Sequence, residues 1–197
     1  MNTPPAIAGL VLAAGASGRM GSDKALALYQ GRTFLASVVG TAREAGIEQL
    51  AVVLGHHADE IRQAVDLSGV QVVVNAHYHL GQTSSLQAGL RALAGGNYNA
   101  LVLCLVDHPA VSSSTVRELI TAYLDCRAPV VVPLFEGRRG HPVIISQELF
   151  GPIQALNSDQ GANLVIRQYQ DRTRAVPVSD SGVVLDIDDP QMLAKLG

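Results

Sequence analysis

Short apolar runs alternate along the chain with longer segments in which apolar residues recur every three or four positions. The first run, Ile7–Ala13, has no polar alternation, which predicts a strand buried on both faces. Five further runs predict strands, at residues 49–55, 70–74, 100–106, 129–133 and 143–146. The run at 100–106 is the most apolar, so we expect it near the centre of a sheet.

The segments between these runs have the spacing of amphipathic helices. They predict a helix from Phe34 closed by Gly46, a helix over 58–65, a helix capped by Ser84, and a longer helix beginning near Ser113. Strands that alternate with helices indicate an α/β fold with a mainly parallel sheet and helices on both faces.

The C-terminal part predicts one more strand at 182–185, followed by an acidic segment and a short helix. In an extended segment, Asp186 and Asp188 point to the same face, so they could share a cation. The alternative is an acidic helix start in which Asp188 or Asp189 caps the turn before Pro190.

Composition narrows the class of protein. The chain has 197 residues, 48% of them hydrophobic and 16% charged, which fits one globular domain over 1–197 and excludes a disordered chain. With 4% aromatic residues, no Trp and a net charge of −3, nucleic acid is a poor partner. We find no signal-like or membrane-spanning run and expect a cytoplasmic protein with no membrane contact. Cys104 and Cys126 form no metal or redox motif and are expected to be reduced.

A glycine-rich stretch follows the first strand. Gly15, Gly18 and Gly21 let backbone N–H groups converge on an anion, and Arg19 and Lys24 add cations suited to a polyphosphate. The spacing fits neither the Walker loop nor the dinucleotide fingerprint. A plain glycine-rich connection is the alternative, but the two cations favour phosphate binding.

Asp107 directly follows the most apolar predicted strand. A carboxylate there is costly unless it is hydrated, caps a helix or binds a metal. Ser112 to Ser114 already offer caps for the next helix, which leaves Asp107 available for Mg²⁺.

The stretch Leu12-Ala13-Ala14-Gly15-x-Ser17-x-Arg19-Met20-Gly21-x-x-Lys24 resembles the signature loop of the MobA-like nucleotidyltransferases, nearest to the molybdenum cofactor cytidylyltransferase branch. The resemblance implies a three-layer α/β/α Rossmann-like nucleotidyltransferase fold with a mainly parallel mixed sheet. It also implies that this loop holds the nucleotide through Leu12, Ala13, Ala14, Gly15, Ser17, Gly18, Arg19, Gly21 and Lys24, and that Arg19 and Lys24 are catalytic together with Asp107.

Four later motifs are similar to those of the same family, in the family's order. Asn75 with Gly81-x-x-Ser84-Ser85 is implied to read the base, and Asp107-x-Pro109 with Asp186-Ile187-Asp188 is implied to bind the metal. Residues implied to bind the second substrate are Arg139, Gly140, His141, Pro142, Asp159, Gly161 and Ala162. Ser158 and Asn163 stand where the family has Gly and Arg. His77 and His79 are expected to be ordinary loop histidines.

The resemblance implies transfer of a cytidylyl or guanylyl group from an NTP, with Mg²⁺, onto a phosphate monoester, with release of pyrophosphate, and the nearest branch favours CMP from CTP. The implied acceptor is molybdopterin, and a molybdoenzyme could receive the product. A preference for CTP also fits Ala14, whose Cβ takes space that a purine would need. The alternatives are a sugar, polyol or phosphonate nucleotidyltransferase and a non-catalytic cofactor carrier. A dehydrogenase is disfavoured because the Gly-x-Gly-x-x-Gly fingerprint is absent.

Overall fold

The computed structural model describes residues 6–15, 23–157 and 160–194. The strands are β1 Ile7–Ala13, β2 Leu28–Tyr29, β3 Arg32–Thr33, β4 Gln49–Leu54, β5 Gln71–Val74, β6 Ala100–Leu105, β7 Val130–Phe135, β8 Arg138–Arg139, β9 Val143–Ser146 and β10 Thr173–Pro177. The α-helices are α1 Phe34–Glu44, α2 Ala58–Ala64, α3 Gln82–Leu93, α4 Ser113–Cys126, α5 Phe150–Gln154, α6 Asn163–Gln168 and α7 Pro190–Ala194.

The main sheet has the strand order β10-β7-β9-β6-β1-β4-β5, with β8 paired to β7. Neighbours are parallel except around β9, which runs antiparallel to both β6 and β7, and β8, which is antiparallel to β7. The predicted α/β fold with a mainly parallel mixed sheet is therefore confirmed. Parallel β4, β1 and β6 end at the same edge, where open α/β sheets bind ligands.

Two hydrophobic cores lie on opposite faces of the sheet, as the period of two along a strand requires. From β1, Val11 and Ala13 pack into one core, while Leu10 and Leu12 pack into the other. The first core receives α1, α2 and α4, and the second receives α3, α5 and α6. This arrangement gives the three layers, helix, sheet and helix, that the family resemblance implies.

Two predictions about local structure were wrong. The segment 182–185 is not a strand, since Ser181–Val184 forms a 3₁₀ turn whose N-cap Asp180 accepts a hydrogen bond from the Gly182 N–H. Ser84 is not the cap of α3, because the helix begins at Gln82 and its N-cap is Gly81, at φ +100°. Glycine reaches that backbone conformation without a steric penalty.

The sequence pattern missed β10, the hairpin β2–β3 and the short helices α5 and α6. Among the residues described, no helix is long and apolar enough to cross a bilayer.

Candidate active site

Three carboxylates meet at the edge of the sheet where β6 ends. Asp107 follows β6, and the C-terminal segment carrying Asp186 and Asp188 crosses beside it. The N–H of Ile187, between the two, donates a hydrogen bond to the carbonyl oxygen of Asp107 at 3.0 Å. As a result, one oxygen from each carboxylate lies within 4.8 Å of the others.

Asp180 fixes the path of this C-terminal segment, a role that no sequence pattern indicated. Its Oδ2 accepts hydrogen bonds from the Ser112 N–H at 2.9 Å and the Thr115 hydroxyl at 2.8 Å, both at the start of α4. These bonds lower the pKa of Asp180 despite the opposing effect of burial. The carboxylate therefore stays ionised and ties the segment to the helix.

Lys24 lies among the three carboxylates. Its Nζ is 3.1 Å from Asp107 Oδ2 and 3.9 Å from Asp186 Oδ1, and it also donates a hydrogen bond to Asp188 Oδ1. Burial disfavours the charged ammonium, but the bond to Asp188 and the charge of Asp107 outweigh it, so the pKa of Lys24 is raised. The ammonium therefore partly neutralises the cluster.

The donor set suits a hard divalent cation such as Mg²⁺ or Mn²⁺. Asp107 Oδ1 is buried and has no hydrogen-bond partner among the described residues, which leaves a lone pair available for a ligand. Burial and the charges of Asp107 and Asp188 raise the pKa of Asp186. A bound cation would relieve this repulsion, so these residues fit the metal that the resemblance implies.

A cavity of about 340 Å³ opens beside the carboxylates. Its lining includes the predicted nucleotide-binding residues Leu12, Ala13, Ala14, Gly15, Lys24, Gly81 and Ser85, together with Asp107 and Asp188. Tyr78, Gln82 and Asp23 also line it, although no sequence motif singled them out. Ser17, Gly18, Arg19 and Gly21 lie outside the described residues.

Asn75 and Ser84 are buried beside this cavity and organise its wall. The Asn75 amide donates to the hydroxyls of Ser84 at 2.9 Å and Ser85 at 3.1 Å, and its Oδ1 accepts from the His77 N–H at 3.0 Å. Ser84 donates to the carbonyl oxygen of Gly81 at 2.8 Å or to that of His77 at 3.0 Å. Of this group, Ser85 faces the cavity, so its hydroxyl is the one placed to meet a ligand.

A second cavity, of about 520 Å³, shares Leu12, Gly81, Gln82 and Leu105 with the first. Three residues predicted for the second substrate, His141, Gly161 and Ala162, line it. The Ala162 N–H donates to the Thr83 hydroxyl at 3.1 Å, which fixes this wall to α3.

The other residues predicted for the second substrate are placed differently. Arg139 is exposed on β8, Pro142 packs in a small pocket behind His108, and Asp159 lies outside the described residues. Gly140 packs against the backbone of Val183, where a Cβ would lie 2.1 Å from the carbonyl oxygen.

His141 lies between the second cavity and His108, with 5.2 Å between the two ring centroids. Burial and the neighbouring His108 lower the pKa of His141 to about 4, against the opposing effects of Asp107 and the Leu103 backbone. Its Nδ1 is buried without a hydrogen-bond partner among the described residues. His141 is therefore a neutral imidazole at neutral pH.

An open α/β sheet with a cavity and a carboxylate cluster at its carboxyl edge is typical of a nucleotide-binding protein, and the cluster suits a divalent cation. Comparison with known families identifies the class of protein more narrowly. Residues 9–173 match the family described as the MobA-like NTP transferase domain. The chain belongs to this family and is a nucleotidyltransferase of MobA-like type.

Three relatives illustrate the range of the family. The chain is 30% identical to nicotine blue oxidoreductase of Paenarthrobacter nicotinovorans, over 98% of this chain and 97% of that protein. It is 30% identical to a probable molybdenum cofactor guanylyltransferase of Bacillus cytotoxicus, over 68% and 64% of the two chains. The crystal structure of Rv0371c from Mycobacterium tuberculosis H37Rv superposes with a TM-score of 0.84 at 33% identity, over 98% of each chain. A manganese complex of Rv0371c superposes with a TM-score of 0.74 at 31% identity, over 89% of each.

Proposed function

We propose that residues 1–197 act as one domain that transfers CMP from CTP to a phosphate monoester, with Mg²⁺ or Mn²⁺ bound by Asp107, Asp186 and Asp188. The observation that carries this proposal is the meeting of the three carboxylates beside a cavity bounded by Ala13, Ala14 and Gly15. The manganese complex of Rv0371c supports a divalent cation in a related protein.

The reaction needs little proton transfer. A phosphate monoester is already anionic at neutral pH, so its oxygen can attack the α-phosphorus of CTP without a general base. A new bond forms between that oxygen and the α-phosphorus, while the bond from the α-phosphorus to the bridging oxygen breaks and its electron pair leaves with pyrophosphate. The protein's task is to position two anions in line and to offset their charge.

The chain's own residues divide this task. Asp107, Asp186 and Asp188 would hold the cation, which when bound supplies positive charge to the phosphate oxygens. Lys24 contacts the same carboxylates, so a bound cation would release its ammonium towards the phosphates. Gly15 lines the cavity, and nothing lies within 4 Å of the position that a Cβ would take there. We propose that Arg19, which lies outside the described residues, adds a second positive charge.

The inner wall of the first cavity would select the base of the nucleotide. Ala14 is 4% exposed and its Cβ occupies room that a purine would need. The Ser85 hydroxyl accepts from Asn75, and its proton can be donated to the pyrimidine edge. Size alone discriminates by only about 1–3 kcal/mol, so the preference for CTP over GTP should be moderate.

The acceptor would occupy the second cavity. This cavity shares four residues with the first, which supports binding of an acceptor phosphate next to the nucleotide. Molybdopterin is the proposed acceptor, because a relative is named as a probable molybdenum cofactor guanylyltransferase. A molybdoenzyme would then receive the dinucleotide product. A sugar, polyol or phosphonate acceptor would fit the same chemistry.

A product assay tests this proposal. The protein is incubated with each NTP, with Mg²⁺ or Mn²⁺, and with molybdopterin or a sugar phosphate, and the products are identified by mass. We expect pyrophosphate and a cytidylyl product, and Ala14→Gly should narrow the CTP/GTP ratio without reversing it. Equal use of GTP by the wild-type protein would overturn the base assignment, and no pyrophosphate with any pair would favour a carrier.

A second candidate is an oxidoreductase, because a relative aligned over nearly the whole chain bears that name. Hydride transfer has no need of three converging carboxylates, which favours nucleotidyl transfer. The two are separated by offering a nicotinamide cofactor together with nicotine blue, the compound in the name of that relative. Cofactor oxidation that survives Asp107→Asn would support the oxidoreductase.

A further inference from the structure

A second group of metal-type ligands adjoins the first cavity and shares no residue with the carboxylate cluster around Asp107. It consists of Asp23, His56 and His57, whose candidate ligand atoms all lie within 4.8 Å of one another. Asp23 lines the cavity, and His56 packs edge-on against Tyr78, another cavity residue, with ring centroids 5.8 Å apart. The proposed nucleotidyl transfer makes no use of this group.

Asp23 is a buried carboxylate, and only one of its two oxygens accepts a hydrogen bond from a described residue. The side chain is 4% exposed. Its Oδ1 accepts a hydrogen bond from the Ala25 N–H at 3.0 Å, but its Oδ2 is buried and has no hydrogen-bond partner among the described residues. A buried carboxylate oxygen left unpaired costs free energy that a bound cation would remove.

The two histidines are turned to the same side by the backbone. His57 has φ +52° and ψ +31°, a left-handed conformation that is uncommon for a residue with a side chain. The two rings are consequently neighbours, with centroids 3.7 Å apart. His56 Nδ1 is buried without a hydrogen-bond partner in the part of the chain described, and His57 Nδ1 lies 4.0 Å from Asp23 Oδ2.

We propose that Asp23 Oδ2, His56 Nδ1 and His57 Nδ1 bind a divalent transition-metal ion, with Zn²⁺ the best match. Two imidazoles and one carboxylate suit a borderline ion such as Zn²⁺ or Co²⁺, whereas the three carboxylates around Asp107 suit a hard ion such as Mg²⁺. Bonds of about 2.0–2.2 Å to zinc need ligand atoms roughly 3.3 Å apart. A rotation of His57, whose side chain is 45% exposed, can close the gap.

The position of the site gives the ion a structural consequence. The His56 N–H donates to the carbonyl oxygen of Ala14 at 3.4 Å, and Ala14 precedes the stretch 16–22, which Asp23 follows. An ion held by Asp23 and His56 therefore links the two ends of the glycine-rich stretch. Its binding should raise the thermal midpoint of unfolding, because it binds only the folded arrangement.

Equilibrium dialysis of the full chain against Zn²⁺, with excess Mg²⁺ present to fill the carboxylate cluster, tests the site. We expect one Zn²⁺ per chain, a rise in thermal midpoint of about 5 °C or more at saturation, and a Co²⁺ complex whose visible absorption reports nitrogen ligands. Asp23→Asn, His56→Gln and His57→Gln should each weaken Zn²⁺ binding at least tenfold. Because His57 is half-exposed, His57→Gln keeps the test valid if Asp23→Asn fails to fold.

Two control variants locate the ion. His79→Gln removes a loop histidine outside the cluster, and Asp107→Asn alters the carboxylate site, so both should keep Zn²⁺ binding. Absence of Zn²⁺ binding by the wild-type chain in excess Mg²⁺ would overturn the proposal. Binding that survives His57→Gln and Asp23→Asn but is lost in Asp107→Asn would also overturn it and assign the ion to the carboxylate cluster.

Discussion

The N–H of Ile187 donates to the carbonyl oxygen of Asp107 at 3.0 Å, and this one hydrogen bond joins the two parts of the chain that carry the carboxylates of the candidate active site. Asp107 is held by the central sheet, whereas Asp186 and Asp188 belong to a segment with no strand of its own. Because Ile187 is fully buried, the carboxylates on either side of it are directed towards Asp107.

The carboxylate of Asp107 is expected to be essential for turnover and dispensable for folding. Asp107→Asn keeps the side-chain volume but removes the charge that would hold the cation, so kcat should fall by about 100-fold or more with little change in thermal midpoint. Asp189→Asn is the matched control, because Asn can still accept the hydrogen bond from the Met192 N–H. Near-normal activity of Asp107→Asn at saturating Mg²⁺ would contradict the metal assignment.

Lys24 is expected to affect both stability and nucleotide use. Lys24→Met leaves three carboxylates without their ammonium partner. In the absence of divalent ions, the variant should therefore have a lower thermal midpoint than the wild type. Added Mg²⁺ should raise that midpoint more in the variant than in the wild type, since no ammonium then competes for the carboxylates. The kcat/KM for CTP should nevertheless fall about 30-fold, or ~2 kcal/mol, because the proposed contact of Lys24 with a phosphate would be lost. Equal Mg²⁺ responses would argue against a shared site.

His141 should make stability dependent on pH below neutrality. Its pKa is lowered to about 4 in the folded chain from an ordinary value near 6.5. As the pH falls through 6.5, the unfolded chain gains a proton that the folded chain does not, so the free energy of unfolding decreases until about pH 4. The loss is at most about 3 kcal/mol, and less to the extent that water reaches the partly exposed ring.

Urea unfolding at neutral pH and near pH 5 measures this effect. His141→Gln should show a smaller decrease than wild type between the two pH values, while His79→Gln, an exposed loop histidine, should follow the wild type. Identical decreases in His141→Gln and wild type would mean that His141 takes up a proton normally in the folded protein.

Gly140 should tolerate no side chain. A Cβ at this position would lie 2.1 Å from the carbonyl oxygen of Val183, and backbone cannot rotate away as a side chain can. We expect Gly140→Ala to lower the free energy of unfolding by about 1–3 kcal/mol and to weaken Mg²⁺ binding, because Val183 leads into the segment carrying Asp186. Gly95→Ala, where a Cβ meets nothing within 4 Å, is the control and should be nearly neutral. Equal stability of the two variants would contradict this close packing.

The sequence by itself determined those features that depend on neighbours along the chain. The apolar runs predicted β1 and β9 with their observed bounds, and Ser112 to Ser114 predicted the start of α4 at Ser113. Local patterns suffice here because burial periodicity and helix capping involve residues a few positions apart. The sequence also singled out Asp107, Asp186 and Asp188, whose candidate ligand atoms the fold brings within 4.8 Å of one another.

Only the tertiary structure decided the features that rest on distant partners. Apolar composition suggested a strand at 182–185, but Asp180 binds Ser112 and Thr115, 68 and 65 residues away, and the segment turns instead. Lys24 meets Asp107 and Asp188 across 83 and 164 residues, and Asp23 faces His56 and His57 in the same way. No local pattern encodes these pairings, because the sheet order that puts β1 between β4 and β6 brings their ends together.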